Sequence, residues 1–461
     1  MEIYNTLTRK KESLPSPDEQ KQLKMFVCGP TVYDYIHIGN ARTFVFFDVV
    51  AKYLKHKGFD VAYIQNITDI DNKIIERAQK EGVDPLEYAK KYSDIFKQDM
   101  KSLGVTSPEY KNATNHIPEV IKQVQILLDK GNAYSIENDG IYFDLSTFPD
   151  YGKLSGRTAS MADDAVSRID DSNKKRNRGD FAVWKFSQKG DPSWPAPFGN
   201  GRPGWHIEDT AITEKYFGPQ YDIHGGGQDL IFPHHEAEIA QQESASGLKP
   251  FVKYWMHNGF LVNKKEKMSK SAGNFKTINE LLKKYPKEIL RFYLLSAHYR
   301  SPLQFSEETL KQSQGGVQRI REFLARLEKV EDSQQHDAVA SMLSSAKSHY
   351  DYYSDEDFNT QGAIGALFGL LKKVYPRLDT QMIGKENAKN IIDFFNEVNQ
   401  TLGIIPSEYK EAPQEVLDLV NQRQKLRADK KWDEADKTRD QIEKMGYQVE
   451  DTIYGPLVVK K

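Results

Sequence analysis

Residues 24–66 read KMFVCGPTVYDYIHIGNARTFVFFDVVAKYLKHKGFDVAYIQN. Lys24–Val32 has the form of a buried strand, entered through Met25-Phe26-Val27 and broken by Gly29-Pro30. From about Asn40 to His56 the apolar residues Phe44, Phe47, Val50 and Leu54 recur on one face at the helical period, and Gly58 ends the run. Val61–Asn66 reads as a second strand. A strand, a helix and a strand at this spacing suit one right-handed parallel unit of a doubly wound sheet.

Working outward, helical patterns follow near Asn72–Lys80, Pro85–Leu103 and Ile117–Lys130. Between Ala133 and Asn200 the character changes. Short strand-like runs such as Gly140-Ile141-Tyr142-Phe143 mix with a basic cluster (Lys174, Lys175, Arg176, Arg178), two tryptophans and several prolines, as expected of an inserted subdomain. The alternating pattern resumes with a strand at Tyr221–His224, a helix at Phe232–Ala245 and a strand at Tyr254–Val262. From about Leu290 the pattern is helical. Val317–Val330, Asp337–Tyr350, Gln361–Val374 and Asn387–Leu402 are expected to form an antiparallel bundle. Pro406 and Pro413 mark a linker to a tail with helices at Glu415–Asp429 and Trp432–Met445 and a strand-like end at Tyr447–Val459. The expected fold is therefore α/β: a Rossmann-like doubly wound parallel sheet split by an insertion, followed by an all-α helical bundle and a small C-terminal domain. The expected segments are 1–116 and 204–262 for the two halves of the sheet domain, 117–203 for the insertion, 263–310 for a connecting region, 311–405 for the bundle and 406–461 for the tail domain.

Composition narrows the class. Across 461 residues, 64 Lys+Arg nearly balance 66 Asp+Glu, which excludes a globally basic nucleic-acid coat but not a local basic surface. The apolar fraction of 38% excludes wholesale disorder. The single cysteine, Cys28, excludes an intrachain disulfide and a Cys-rich zinc finger. The longest apolar stretch, around Phe44–Tyr53, carries Asp48 and Lys52 and is too short to span a bilayer, and the N-terminus has no basic-then-apolar signal pattern. The expectation is a cytoplasmic protein without a membrane partner.

Two short motifs carry chemistry. His37-Ile38-Gly39-Asn40 sits at a strand-to-helix junction, where free N–H groups and the helix dipole favour an anion. Gly39 allows close approach of a ligand to the backbone, and Asn40 can cap the helix or reach a ribose or phosphate. Lys267-Met268-Ser269-Lys270-Ser271-Ala272-Gly273-Asn274 is a compact basic loop able to fold two ammonium groups over a triphosphate and neutralise a departing pyrophosphate. Alone, each has a bland alternative: an ordinary helix cap, and a solvated turn. They occur in order, about 230 residues apart, with a sheet-like pattern between them.

Together they resemble the two nucleotide-binding motifs of class I aminoacyl-tRNA synthetases. The stretches Phe26–Asp34, Asn66–Asp71, Arg202–Glu208, Gly226–Glu236 and Asp357–Thr360, with the ending Gly446–Asp451, are similar to the cysteinyl-tRNA synthetase family nearly end to end. The resemblance implies one Zn2+ in the amino-acid pocket, held in the family by two cysteines, a histidine and a glutamate. Carried over, these positions are Cys28, His234 and Glu238, with Asp209 where the family's second cysteine stands. The alternatives are a small buried apolar role for Cys28 and a helix-start or outer-sphere role for Asp209. Zinc accepts S, N and O ligands, but this set is harder than one with two thiolates.

The resemblance further implies cysteine-binding roles for Gly29, Thr31, Thr68 and Trp205, the last a lid or plain aromatic core. It implies ATP-binding roles for His37, Gly39, Asn40, Gly227, Asp229, His257 and Lys270, with ATP accompanied by Mg2+, and a pocket-lining place for His224. Catalytic roles fall to His37, Asn40, Lys267 and Lys270. Asn40 stands where the family's first motif usually has a second histidine, and an amide cannot carry charge. Segment 263–310 becomes the Lys-rich motif loop and stem-contact region, and 406–461 an anticodon-binding domain, with Trp432, Arg427 and Lys431 as tRNA-binding candidates beside the alternative of solvated helix faces. The basic cluster at 174–178 is either a mobile loop or an acceptor-stem contact.

The implied activity is a cysteine-tRNA ligase, with L-cysteine, ATP and cysteine tRNA as partners and a monomer as the family expectation. The rivals are a paralogue joining activated cysteine to a small amine, and a non-catalytic tRNA-binding relative.

Overall fold

In the computed structural model, residues 1–157, 173–263, 266–267, 276–332, 334–406, 412–452 and 455–460 are described. Lys270 and most of the Lys-rich loop lie outside them, and of Lys267 only the backbone lies within, in a two-residue strand with Glu266.

Five strands form the parallel sheet: β1 (Gln22–Val27), β2 (Asp60–Ile67), β3 (Glu109–Asn112), β4 (Tyr221–Gly227) and β5 (Val252–Asn258). Their order is β5-β4-β1-β2-β3. The chain thus winds outward through β1, β2 and β3, then returns beyond the insertion to the other side of β1. The reversal lies between β1 and β4, the place where ligands bind in open α/β sheets. β1 stops at Val27, short of the expected Val32, because Gly29-Pro30 turns the chain away: Thr68 N–H donates to Pro30 O and Val32 N–H to Thr68 O.

Helix α1 (Ile38–His56) starts two residues earlier than expected and is buried nearly all round, beyond the predicted stripe. Phe46, off that stripe, stacks on Tyr299 with ring centroids 4.3 Å apart. A helix covered on both sides needs apolar residues on both. Buried Arg42 donates to four carbonyls, those of Gly259, Phe260, His298 and Ser301. This clamp holds the chain where the expected single strand 254–262 divides into β5 and a separate Leu261–Asn263, which pairs with Leu303–Gln304.

Helix α2 (Asn72–Glu81) is capped by Asp71, whose carboxylate accepts from Lys73 N–H, and ends at left-handed Gly82. Helices α3 (Ile117–Asp129), α4 (Ile207–Phe217) and α5 (Glu236–Ser246) follow. The last begins four residues later than expected. Pro233 lacks an N–H and disfavours helical geometry at Phe232, which is extended, so Ile231–His235 forms a wide turn ahead of the helix. The insertion is a four-stranded antiparallel sheet: Ala133–Ile136, Gly140–Phe143, Phe181–Phe186 and Gly201–Pro203. Its basic cluster is partly spent on its own scaffold: Arg176 pairs with Asp144 and lies over the Tyr134 ring, and Lys175 donates to Asp180 O.

The chain divides into two compact units, one made mainly of residues 1–287 and one mainly of 288–461. Within the second lie helices Glu307–Leu327, Asp337–Asp355, Thr360–Asp379 and Lys385–Leu402. Its last part packs Gln414–Ala428 and Trp432–Lys444 with a hairpin, Tyr447–Thr452 and Gly455–Lys460, around Val416, Val420, Ile442 and Val449. No helix among the described residues is long and apolar enough to cross a membrane.

Candidate active site

At the carboxyl ends of β1 and β4 a cleft of about 710 Å³ opens. That size suits a small-molecule substrate site. Its wall includes Cys28, Gly29, Thr31, His37, Gly39, Asn40, Trp205, Gly227 and Asp229.

Cys28 follows β1 directly and is buried. Its Sγ lies 3.3 Å from Asp209 Oδ2 and 3.8 Å from Glu238 Oε1. His234 Nε2 lies 3.1 Å from Asp209 Oδ2 and 2.8 Å from Glu238 Oε1. One ligand atom from each of Cys28, Asp209, His234 and Glu238 falls within 4.8 Å of the others. The local folds explain the convergence. Asp209 is in the first turn of α4, and His234 and Glu238 straddle the junction of the wide turn and α5 with four-residue spacing.

Sequence reasoning missed a second grouping that shares two members: Cys28, His224, His235 and Glu238. Both histidine Nε2 atoms lie 3.2 Å from Cys28 Sγ. The other ring nitrogens are engaged behind them: His224 Nδ1 with Tyr221 Oη at 2.6 Å, and His235 Nδ1 with His257 Nε2 at 2.8 Å. His234 is oriented in the same way, its Nδ1 2.8 Å from His206 Nδ1. Outer partners of this kind fix ring orientation at metal sites. The doublet His234-His235 was the available signal; which ring faces Cys28 depends on the turn, not on the doublet.

The electrostatics are those of a buried cluster in which one imidazole faces two carboxylates. Burial, reinforced by Glu238 and Asp209, pushes the Cys28 thiol well above its usual range. Burial lifts Glu238 to about 7 against the pull of His234. Burial opposes a charged His234, yet Glu238 and Asp209 raise it to about 10. Burial holds His224 and His235 neutral, well below the ordinary histidine range. Asp209 Oδ1 and the adjacent Glu208 Oε1 are buried without a hydrogen-bond partner among the described residues. A buried thiol, two carboxylates and orphaned oxygens with neutral imidazoles nearby are a donor set that a borderline-soft dication fits.

The remaining candidates fall around this centre. Trp205 stacks on His234 at 4.5 Å between centroids and is 39% exposed, so it stands at the cleft rather than in the core. Gly29 N–H donates to Asn66 Oδ1, and a Cβ at Gly29 would collide with Asn66 O. Thr68 is buried behind the wall, its hydroxyl donating to Glu208 at 2.7 Å. His37 caps α1 by accepting from Asn40 N–H. The segment just after the Lys-rich loop is docked on this first motif: Ile38 N–H donates to Lys276 O, and Ile278 N–H to Ile36 O. His257 is not brought to the cleft wall; Thr6 and His235 take its two nitrogens. Asn258, which sequence reasoning did not single out, does line the cleft, and neither polar atom of its buried side-chain amide has a partner among the described residues. Trp432 is exposed, with the Arg427 guanidinium 5.4 Å over its ring, and Lys431 precedes its helix.

Residues 15–315 match the family described as the class I (C) tRNA synthetase catalytic domain, and residues 410–453 match the cysteinyl-tRNA ligase anticodon binding domain. A cysteine-tRNA ligase of Pelotomaculum thermopropionicum is 43% identical, covering 99% of each chain. One of Thermococcus gammatolerans is 43% identical over 98% of each. Among solved structures, Mycobacterium tuberculosis methionyl-tRNA synthetase with methionyl-adenylate superposes with a TM-score of 0.61 at 16% identity, covering 83% of this chain and 90% of that one. The Agrobacterium radiobacter LeuRS-tRNA-LeuAMS complex gives 0.63 at 10% identity, covering 83% and 84%. At such identities these two structures speak to the fold alone.

Proposed function

The chain belongs to the cysteinyl-tRNA synthetase family of class I aminoacyl-tRNA synthetases, and from that premise we propose how its own residues perform the family's reaction. The enzyme is a cysteine-tRNA ligase: it activates L-cysteine with ATP and transfers it to the 3′ end of tRNA. The match of 410–453 to an anticodon-binding domain favours tRNA over a small amine as acceptor.

In the first step a carboxylate oxygen of cysteine attacks the α-phosphorus of ATP, and the bond to pyrophosphate breaks. In the second, a terminal ribose hydroxyl of the tRNA attacks the activated carbonyl carbon, and AMP leaves. The N-terminus of α1 with His37, Gly39 and Asn40 receives the phosphates. Lys267 and Lys270 neutralise the leaving pyrophosphate, and Mg2+ accompanies ATP. Gly227 and Asp229 hold the ribose, and the unspent amide of Asn258 is suited to the donor and acceptor edge of adenine. Most of the acceleration comes from positioning and charge stabilisation.

Cys28, Asp209, His234 and Glu238 are the residues that would hold zinc. When bound there, the ion supplies an acceptor for the substrate thiolate that a serine hydroxyl does not match. Trp205 closes over this end, and Gly29 and Thr31 on the wall orient the ammonium and carboxylate, with Thr68 bonded to Glu208 behind them. The observation carrying this reading is that Cys28 belongs at once to the buried donor cluster and to the cleft wall. The enzyme works as a cytoplasmic monomer. Cysteine-dependent ATP–pyrophosphate exchange with a serine control, metal analysis of the same preparation and aminoacylation of tRNA test the whole; exchange driven equally by serine would overturn the metal-selection argument.

A further inference from the structure

One wall of the cleft is left unused by that chemistry. Helix α2 turns Ile74, Ile75 and Ala78 into the core and presents Lys73, Arg77 and Lys80 to the cleft, at i, i+4 and i+7, with Glu76 among them. The Tyr33 ring lies beneath two of these cations, Lys73 Nζ at 5.5 Å and Arg77 Cζ at 5.0 Å from its centroid. Arg77 also pairs with Asp34 at 3.0 Å, which sets the guanidinium beside the ring. Lys73 and Lys80 are exposed, and among the described residues no carboxylate is paired with either.

We propose that this face, Tyr33 with Lys73, Arg77 and Lys80, is the track on which the single-stranded 3′ end of the tRNA lies as it enters the cleft. The inference rests on the tRNA-ligase reading and adds the surface that reading lacks. Three observations carry it. The same continuous cleft is lined by Cys28 and Trp205, so a strand whose last ribose reaches the activated carbonyl must cross another part of the wall. The face combines cations with an aromatic ring, the pairing that grips phosphates and unstacked bases of single strands. The chain as a whole carries a net charge of −2, so three cations on one helix face are a local feature rather than part of a basic coat. The triphosphate already has a place at the N-terminus of α1, which leaves these charges for the acceptor.

The test uses the full chain and a Lys73→Ala/Lys80→Ala double variant, with Tyr33→Ala alongside. In the double variant, kcat/KM for tRNA should fall about tenfold while cysteine-dependent ATP–pyrophosphate exchange stays within about twofold, which also certifies folding. Because each single-strand phosphate contact contributes a slope of about 0.7, the slope of log affinity against log salt should become shallower by roughly 1.4. With tRNA trimmed of its single-stranded 3′ end, wild type and variant should bind alike. A parallel loss of exchange would assign the lysines to ATP, unchanged tRNA kinetics would make the face a solvated one, and a difference that persists on trimmed tRNA would move the contact elsewhere; each overturns the proposal. Absence of exchange in the wild type would instead overturn the ligase reading beneath it.

Discussion

Asp209 Oδ2 stands 3.3 Å from Cys28 Sγ, placing a carboxylate where the resemblance leads one to expect a second thiolate. Oxygen is a harder donor than sulfur, so in the proposed zinc site this position would set the grip on the ion. Asp209→Cys should tighten zinc at least tenfold in competition with a chromophoric chelator, and Asp209→Ala should loosen it by a similar factor. Equal affinities across the three proteins would remove Asp209 from the donor set.

The Lys-rich loop is expected to act on the leaving pyrophosphate. Lys270→Ala should slow ATP–pyrophosphate exchange by about 10²–10³-fold, the range for loss of one donor to developing charge. The cysteine concentration needed for half-maximal exchange should shift far less. An unchanged exchange rate would deny the loop its role.

Trp432 offers an exposed ring beside Arg427 in the C-terminal part of the second unit. Stacking of one base is worth ~1–3 kcal/mol, so Trp432→Ala should lower aminoacylation kcat/KM about tenfold or more. Exchange, which needs no tRNA, should be unaffected; a matching fall in exchange would point to a fold defect instead.

Buried Arg423 binds both oxygens of Asp451 at 2.7 and 2.8 Å, and these hydrogen bonds hold the Asp451 carboxyl below its usual range despite partial burial. The folded-state value is depressed, so the stabilisation is present above the unfolded value of about 3.9 and is lost as pH falls through the lower folded one. Asp451 is 41% exposed, so solvent screening limits the ion pair to about 1 kcal/mol. Asp451→Asn should lower the melting temperature at neutral pH, and the two proteins should converge below about pH 4. Parallel curves at every pH would contradict this.

Much of the frame was readable because its signals are local. The α1 and α2 patterns, the Gly29-Pro30 break and the spacing of His234 and Glu238 are set by neighbours in the chain. The misses share a cause. His235 is one half of a doublet, and its approach to Cys28 depends on the wide turn imposed by Pro233. Asn258 gains meaning only because strand β5 ends at the cleft and Arg42, from a distant helix, holds Gly259 and Phe260 just beyond it. The backbone docking of Lys276 and Ile278 on the first motif joins residues far apart in sequence, which no periodicity announces.

The order β5-β4-β1-β2-β3, with the insertion between its halves, has a consequence for biosynthesis. Cys28 and Glu238 are separated by 210 residues. At a ribosomal rate of ~5–20 residues per second, roughly 10–40 s pass between delivery of the thiol and delivery of its last partner. During that interval the nascent chain carries the thiol without the carboxylates and imidazoles that later enclose it. The proposed metal site can therefore be loaded only once α5 has been made, about halfway along the 461-residue chain, and termination before α5 leaves a fragment whose thiol lacks these partners.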